Sequence, residues 1–339
     1  MANATFSPQD FKVWVIEETT TGNANGDSPN APAITSGLYQ LDVDSVSLPT
    51  IAPNQVVTPR TRQGRLLHKD DFFQDNEYRA TEISLAGTLR KDGGHVMLLQ
   101  SVTGNSLTPD SIADPDVITG HTGVGFDYGV SAANKTFTLV VESPDVTDGY
   151  NTIMPGCLCT NFAISADMGT DGGQYKWSAT VSTGKNPYFT NAQTPAGSAY
   201  GTGSVALSTL SAIKVASITS PVLSGFSVTI DHPAVYTGTS GTGYQSFARS
   251  AEIALSATAS VKYDSLTRAL PSTFNTQSAA DAADSLLLTQ TTASDFSIGM
   301  DASVLTNVSF NAGDVMMLDV EMKGVSDGSG DALTIDVTA

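Results

Sequence analysis

The clearest pattern in the chain is the strict alternation of apolar with small or polar residues in TEISLAGTL, residues 81–89. Ile83, Leu85 and Leu89 fall on one side of this alternation, and the residues between them fall on the other. Successive side chains of a β-strand point to opposite faces of its sheet. The segment therefore predicts a strand with one buried face and one small, polar face.

Similar patterns predict most of the remaining elements in the first half of the chain. Alternation indicates further strands at residues 12–19, 36–49, 136–143, 158–167 and 174–184, the second of them with a bulge or bend. HVMLLQSVTG (95–104) is too compactly apolar for a surface strand and ends in glycine, which predicts a short helix lying on the sheet. We therefore predict an all-β fold with short flanking helices.

The sequence pattern of the strand at residues 81–89 recurs in the second half of the chain. Its opening pattern is repeated in the same phase, and the matching residues are Arg79 with Arg249, Glu82 with Glu252, Ile83 with Ile253 and Leu85 with Leu255. Both strands should therefore present equivalent faces, with the isoleucine and leucine in a core and the glutamate on the opposite face.

Three weaker matches occur in the same order along the two halves. SGL (36–38) matches SGF (224–226), and TNFAIS (160–165) matches TNVSFN (306–311). Between them, the leucine-rich helix around 97–99 matches an expected helix around 286–288. The order predicts tandem β-sandwich domains, whereas chance similarity among strands of biased composition is the alternative. The predicted division is an N-terminal arm or linker (1–34), a first β domain (35–190), a linker (191–212) and a second β domain (213–339).

Charge narrows the range of partners. The chain has 16 Lys and Arg against 34 Asp and Glu, a net charge of −18, which disfavours binding to nucleic acid or to an anionic membrane. Seven of the sixteen basic residues nevertheless lie between residues 60 and 91. The group Arg60, Arg62, Arg65 and Lys69 is followed at once by aspartates, which favours a charge-paired contact with protein.

Catalytic and metal-binding patterns do not stand out. The four histidines are scattered without ligand spacing, and no nucleophile elbow or Walker loop occurs. Cys157 and Cys159 form a C-x-C that is expected to be two buried free thiols, since a bridge across one strand position would be badly strained. We expect no enzyme activity and no cofactor.

The order of elements resembles that of the major tail tube proteins of long-tailed bacteriophages. It is carried by FKVWVIEETTTG, a strand, a long polar loop, EISLAGTLRKDGGHVMLLQSVTG and a late pair of strands, and is clearest over residues 77–104. The resemblance implies a β-sandwich with one flanking helix, whose subunits form stacked rings around a DNA channel. Some proteins of this type look like two fused domains that assemble as homotrimers with six domains per ring, and the repeat favours that arrangement.

The resemblance also implies partners and a location. Expected partners are further copies of the chain, tape-measure, tail-terminator and baseplate proteins, and DNA in transient, non-specific passage, with no membrane. The start of the chain, MANATFSPQDFKVW, lacks a basic region followed by an apolar stretch, which favours assembly in the host cytoplasm and residence in the virion tail. We hypothesise that Arg60, Arg62, Arg65 and Lys69 contact an acidic surface of the next ring.

Three other functions fit part of the pattern. A capsid-decorating or baseplate protein shares the composition. A glycan-binding β-sandwich would need grouped aromatic residues, and an enzyme would need a concentrated set of titratable residues.

Overall fold

The fold of the computed structural model is all-β with two short helices, as the sequence predicts. The structure describes residues 6–20, 23–24, 34–47, 54–57, 69–75, 81–90, 94–103, 116–119, 136–145, 149–183, 187–190, 193–201, 203, 205–239, 245–249, 253–276, 281–290, 297–325 and 331–336. Arg60, Arg62, Arg65 and Glu252 lie outside the described residues.

The described residues before residue 200 form thirteen strands and one α-helix. They are β1 (Lys12–Thr20), β2 (Asn23–Ala24), β3 (Leu38–Leu41), β4 (Ser45–Val46), β5 (Asn54–Val57), β6 (Phe72–Asp75), β7 (Thr81–Thr88), α1 (His95–Thr103), β8 (Asp116–Thr119), β9 (Phe137–Glu142), β10 (Asn151–Asp167), β11 (Lys176–Thr183), β12 (Tyr188–Thr190) and β13 (Gly197–Ser198). The predicted strand at 36–49 is thus two short strands separated by a bend.

Ten strands and one α-helix follow in the part of the chain after residue 200 that the structure describes. They are β14 (Leu210–Val215), β15 (Ile218–Thr219), β16 (Leu223–Asp231), β17 (Ala234–Thr239), β18 (Gln245–Arg249), β19 (Ala254–Lys262), α2 (Leu270–Thr276), β20 (Asp281–Gln290), β21 (Ser297–Ala312), β22 (Met316–Gly324) and β23 (Asp331–Asp336).

The two halves have the same antiparallel strand order. The order in the first unit, residues 12–190, is β1-β9-β10-β11-β7-β4. The order in the second unit, residues 210–336, is β14-β20-β21-β22-β19-β16. The shorter β12 and β23 also correspond, because each pairs with the start of the longest strand of its unit, β10 or β21. The helices follow the same rule, since α1 packs on β10 and α2 on β21.

One β-bulge in each unit allows the two units to be aligned residue by residue. In β10, Cys159 pairs with Val181 and Asn161 with Thr180, which leaves Thr160 as the extra residue. In β21 the extra residue is Thr306, between the paired Leu305 and Asn307. Each bulge falls on the threonine of a Thr-Asn pair, so the predicted match of TNFAIS with TNVSFN is confirmed in position.

The predicted helix around residues 286–288 is wrong. These three leucines lie in β20, with Leu286 and Leu288 fully buried and Leu287 partly buried. A short apolar run fits a strand covered on both faces as well as it fits a helix, and periodicity alone does not distinguish them. The helix of the second unit is α2, seven residues that no sequence pattern pointed to.

The strands β7 and β19 occupy corresponding places, but the residue match differs from the one in the sequence. The two bulges align Val181 of β11 with Met322 of β22, because each pairs with the residue just before the bulge. Ile83 pairs with Val181 and Ala257 pairs with Met322, so Ala257 is the structural counterpart of Ile83. The sequence match pairs Ile83 with Ile253, four residues earlier. Because side chains alternate with a period of two, a shift of four leaves each residue on the same face.

The two units form one sheet and share one core. The second half of β10 pairs with β11 along one edge and with β16 along the other, so the row β4-β7-β11-β10-β16-β19-β22-β21 is continuous through both units. A single apolar cluster extends from Val13 to Ile335 beneath this row. Val205, in the predicted linker, is fully buried and accepts a hydrogen bond from the amide of Tyr175.

A glycine allows the bend between β3 and β4 to cross β7. A Cβ atom on Gly87 would lie only 1.8 Å from the carbonyl oxygen of Asp42. The bend is held further by Arg90, whose Nε donates to Asp42 Oδ2 at 2.6 Å. Any side chain at residue 87 would therefore push the bend away from the sheet.

Candidate functional site

The eight-strand row has an apolar face and a face of small, polar side chains, which we call the polar face. The alternation is clear in the second half of β10, where Phe162, Ile164 and Ala166 point into the core, whereas Ala163 and Ser165 point outward. A cross-strand line of outward residues runs through both units: Ala86, Ser178, Ala163, Thr229, Ser256 and Lys323. The face is therefore smooth along the width of the sheet and does not end where one unit meets the other.

Two shallow concavities lie on this face. One lies between β10, β16, β19 and β22, and is lined by hydroxyl side chains and by carboxylates: Ser165, Ser227, Thr258, Ser260, Asp167, Asp171, Asp319 and Glu321. The other lies over β7, β11 and β10, and includes Ser84 and Ser178. Neither has the apolar enclosure that holds a small ligand.

The charged residues on the polar face are mostly acidic. Its carboxylates are Glu82, Asp167, Asp231, Asp319 and Glu321, and its lysines are Lys176, Lys262 and Lys323. The Lys176 ammonium lies 3.4 Å from Asp44 Oδ2 and donates to Thr88 Oγ1 at 3.0 Å. The face therefore presents net negative charge.

Several of these carboxylates are fixed by hydrogen bonds. Asn311 Nδ2 donates to Asp319 Oδ2 at 3.0 Å, and Ser260 Oγ donates to the other oxygen of Asp319. Asn307 Nδ2 donates to Glu321 Oε1 at 3.2 Å. The backbone amides of Thr170 and Gly169 donate to Asp167 and lower its pKa, so this carboxylate is charged at neutral pH.

A buried arginine joins the two units behind the sheet. Arg249, at the end of β18, donates to the carbonyl oxygens of Ser101 and His232 at 2.6 Å each and to that of Cys159 at 2.9 Å. His232 Nδ1 lies 2.9 Å from the carbonyl oxygen of Val102. These contacts satisfy carbonyls in the last turn of α1, where a helix leaves its acceptors free. Residues of the second unit thus cap the helix of the first.

The two cysteines are buried free thiols, as expected from the sequence. Burial raises the pKa of Cys159 to about 12, even though nearby Arg249 favours the thiolate. Burial, with the charge of Glu18, also raises the pKa of Cys157 well above its ordinary value. Both remain protonated at neutral pH and are poor nucleophiles.

The structure places the described residues of the predicted site as follows. Lys69 is exposed and begins a 3-10 turn. Glu82 is exposed on the polar face, with Ile83 and Leu85 buried beneath it. Leu255 is buried and Ile253 packs against the same core. Sequence reasoning missed the β10–β16 joint and the cap by Arg249, because both depend on contacts between distant segments.

The chain matches none of the protein-family models and none of the curated proteins with which it was compared. In the described part of the chain, no three His, Cys, Asp or Glu side chains are grouped as metal ligands. The helices α1 and α2, at nine and seven residues, are too short to cross a bilayer.

Proposed function

We propose that this protein is a structural subunit of a bacteriophage tail tube, which polymerises into stacked rings and forms the channel for genome delivery. One observation carries the proposal: a smooth, acidic polar face continues without interruption across two units of the same topology. Such a surface suits the inner wall of a channel made of repeated units.

The chemistry of the face supports passage rather than binding. Proteins hold DNA mainly through Lys and Arg contacts to phosphates, and small hydroxyl side chains on a net negative surface offer few such contacts. The charge of −18 for the whole chain adds repulsion, which salt weakens over distances beyond about 8 Å. A genome could then move along the wall without being retained.

The duplicated topology supports a ring of three chains with six units. Further copies of this chain are the main partners. A tape-measure protein inside the tube and terminator or baseplate proteins at its ends complete the assembly. The proposed location is the virion tail, with assembly in the host cytoplasm and no catalytic role.

Negative-stain electron microscopy and native mass measurement of the purified protein test the proposal. The expected result is hollow tubes, or rings with six-fold-like projections whose mass is that of three chains. Particles that stay as dispersed monomers at concentrations where tail tubes form would exclude this function. Binding to a glycan array under the same conditions would favour a glycan-binding module instead.

A further inference from the structure

The segment that leads into the second unit closes one end of the first. It runs into a 3-10 turn, Leu207–Thr209, just before β14, and lies on the hairpin between β10 and β11. The amide of Tyr175, at the end of this hairpin, donates to the carbonyl oxygen of Val205 at 2.9 Å. The amide of Leu207 donates to the carbonyl oxygen of Gly173 at 2.8 Å. Val205 is fully buried and belongs to the main apolar cluster, so the segment seals the core at this hairpin.

The first unit begins with the counterpart of this segment. Its 3-10 turn, Pro8–Asp10, likewise lies just before the first strand of its unit, β1, and each turn has an extended residue on both sides. Aligning the two turns places Phe6 where the second unit has Val205, because each lies two residues before its turn. Phe6, however, is 43% exposed. The N-terminal segment therefore presents an apolar side chain to solvent where its counterpart seals a core.

The hairpin of the second unit, between β21 and β22, exposes positions that are buried in the first unit. The ladders give three corresponding pairs: Ile164 and Phe310, Tyr175 and Met316, and Leu89 and Tyr263. The amide of Leu89 donates to the carbonyl oxygen of Tyr175 at 2.9 Å. The amide of Tyr263 donates to that of Met316 at the same distance, which supports the alignment.

Tyr263, Phe310 and Met316 form what we call the apolar patch. Their counterparts in the first unit are at most 2% exposed, whereas Phe310 is 55%, Met316 43% and Tyr263 37% exposed. The rings of Tyr263 and Phe310 meet edge-on at 5.5 Å, so the patch is one surface. Contiguous exposed apolar side chains of this kind mark a site of protein interaction.

The N-terminal segment cannot cover the apolar patch of its own chain. The turn Pro8–Asp10 lies against β4, at one end of the eight-strand row. Met316 is in β22, six strands further along that row. At about 4.8 Å per strand the separation along the sheet is roughly 29 Å. Phe6 lies only two residues before the turn, a reach of about 7 Å at most.

We infer that residues 6–8 of one chain pack on the apolar patch of a second copy, as residues 205–207 pack on the β10–β11 hairpin within the chain. The contact is head-to-tail, because the segment and the patch lie at different ends of the molecule. It would bury Phe6 against the rings of Tyr263 and Phe310, and large aromatic side chains contribute strongly to such contacts. It is independent of the proposed function, since it follows from the exposure of these residues alone.

The first test alters each side of the contact separately. Phe6→Glu places a charge on the segment and Phe310→Glu places one on the patch, where burial of an unpaired charge is unfavourable. Both residues are exposed, so each variant should keep the circular dichroism of the unaltered protein and sediment as a single chain. Phe189→Glu in β12 is the matched control, because Phe189 is as exposed as Phe6, at 43%, and lies outside both surfaces; this variant should assemble as the unaltered protein does.

The second test mixes the two variants. Phe6→Glu keeps an intact patch, and Phe310→Glu keeps an intact N-terminal segment. One contact can therefore form between them, and no third chain can add. Analytical ultracentrifugation of an equimolar mixture should show a species with the mass of two chains that neither variant forms alone.

The outcomes separate the contact from the function. If Phe6→Glu or Phe310→Glu forms hollow tubes, the contact is wrong and the tube function stands. A mixture that stays single-chain would also overturn the contact. If the mixture gives the two-chain species while the unaltered protein forms assemblies that are never hollow, the contact is right and the tube function is wrong. An unaltered protein that stays single-chain would overturn both.

Discussion

Arg249 donates a 2.6 Å hydrogen bond to the carbonyl oxygen of Ser101, and so ties β18 of the second unit to the last turn of α1 in the first. The Arg249 guanidinium is buried, as are the residues whose three carbonyl oxygens accept its hydrogen bonds. Replacing it by methionine removes these bonds and leaves buried acceptors with fewer donors. We expect Arg249→Met to lower the free energy of unfolding by about 3 kcal/mol.

Urea unfolding followed by circular dichroism measures this loss. Arg268→Met is the control, because Arg268 is exposed and its removal should change stability by less than about 0.5 kcal/mol. Equal midpoints for the two variants would show that the buried arginine does not hold the units together.

Gly87 gives a second prediction about stability. Gly87→Ala would place a Cβ atom against the backbone of Asp42, which cannot move without opening the bend between β3 and β4. We expect a loss of about 3 kcal/mol, at the upper end of the cost of overpacking. Gly299→Ala in β21 is the matched control, since its nearest contact would be an ordinary 3.5 Å to Leu287 Cδ1; similar thermal midpoints for both variants would contradict the prediction.

His95 predicts a specific pH dependence. The imidazole is buried at the start of α1, and this burial lowers its pKa from 6.5 to about 4. The unfolded chain therefore takes up a proton at a higher pH than the folded protein does. The stability that depends on a neutral His95 is fully present above pH 6.5 and is lost as the pH falls towards 4. The free energy of unfolding is expected to fall by about 3 kcal/mol over this range.

The measurement is the unfolding free energy from pH 7.5 to 4 for the unaltered protein and for His95→Gln. The variant is expected to start less stable and to lose less stability as the pH falls. Parallel curves for the two proteins would rule out His95 as the group responsible.

The sequence was sufficient for the alternation of β7, for α1 and for the small residues of the polar face, because these depend on local periodicity. It failed where the answer depends on contacts between distant segments. The three leucines at 286–288 are compatible with a helix or a strand when only the sequence is considered. Their pairing with β14 and β21, on the two sides of β20, makes them a strand. The β10–β16 joint requires knowing which edge each strand meets, and a strand pattern alone does not specify its partner.

If the polar face lines the proposed channel, adding positive charge to it should make the tube retain DNA. Ser178→Lys, Thr229→Lys and Ser256→Lys lie on one cross-strand line. We expect assembled tubes of the triple variant to retain duplex DNA at low salt and to release it as salt rises, because each new lysine adds a phosphate contact. Filter binding measures retention, with three lysines at exposed positions of other strands as the control; no difference between the variants would argue against this face lining the channel.

The basic residues Arg60, Arg62 and Arg65 give a prediction that rests on the sequence alone. Reversal of charge at Arg60, Arg62 and Arg65 to glutamate should leave rings intact and block their stacking, since the segment is expected to meet an acidic surface of the next ring. Electron microscopy distinguishes single rings from tubes. Reversal at the exposed Lys12 and Arg268, which are not on the polar face, is the control, and tubes of normal length in the first variant would refute the hypothesis.

The continuous row of strands has a consequence for the bore of the proposed ring. If three such rows lie side by side around the channel, 24 strands at a spacing of about 4.8 Å would give a circumference of at least roughly 115 Å and a diameter of about 37 Å between backbones. Long side chains on the inner surface would narrow that opening considerably. In the proposed ring, the serine, threonine and alanine side chains of the polar face would leave it wide enough for a DNA duplex, so the size of these residues, as much as their polarity, would determine what can pass.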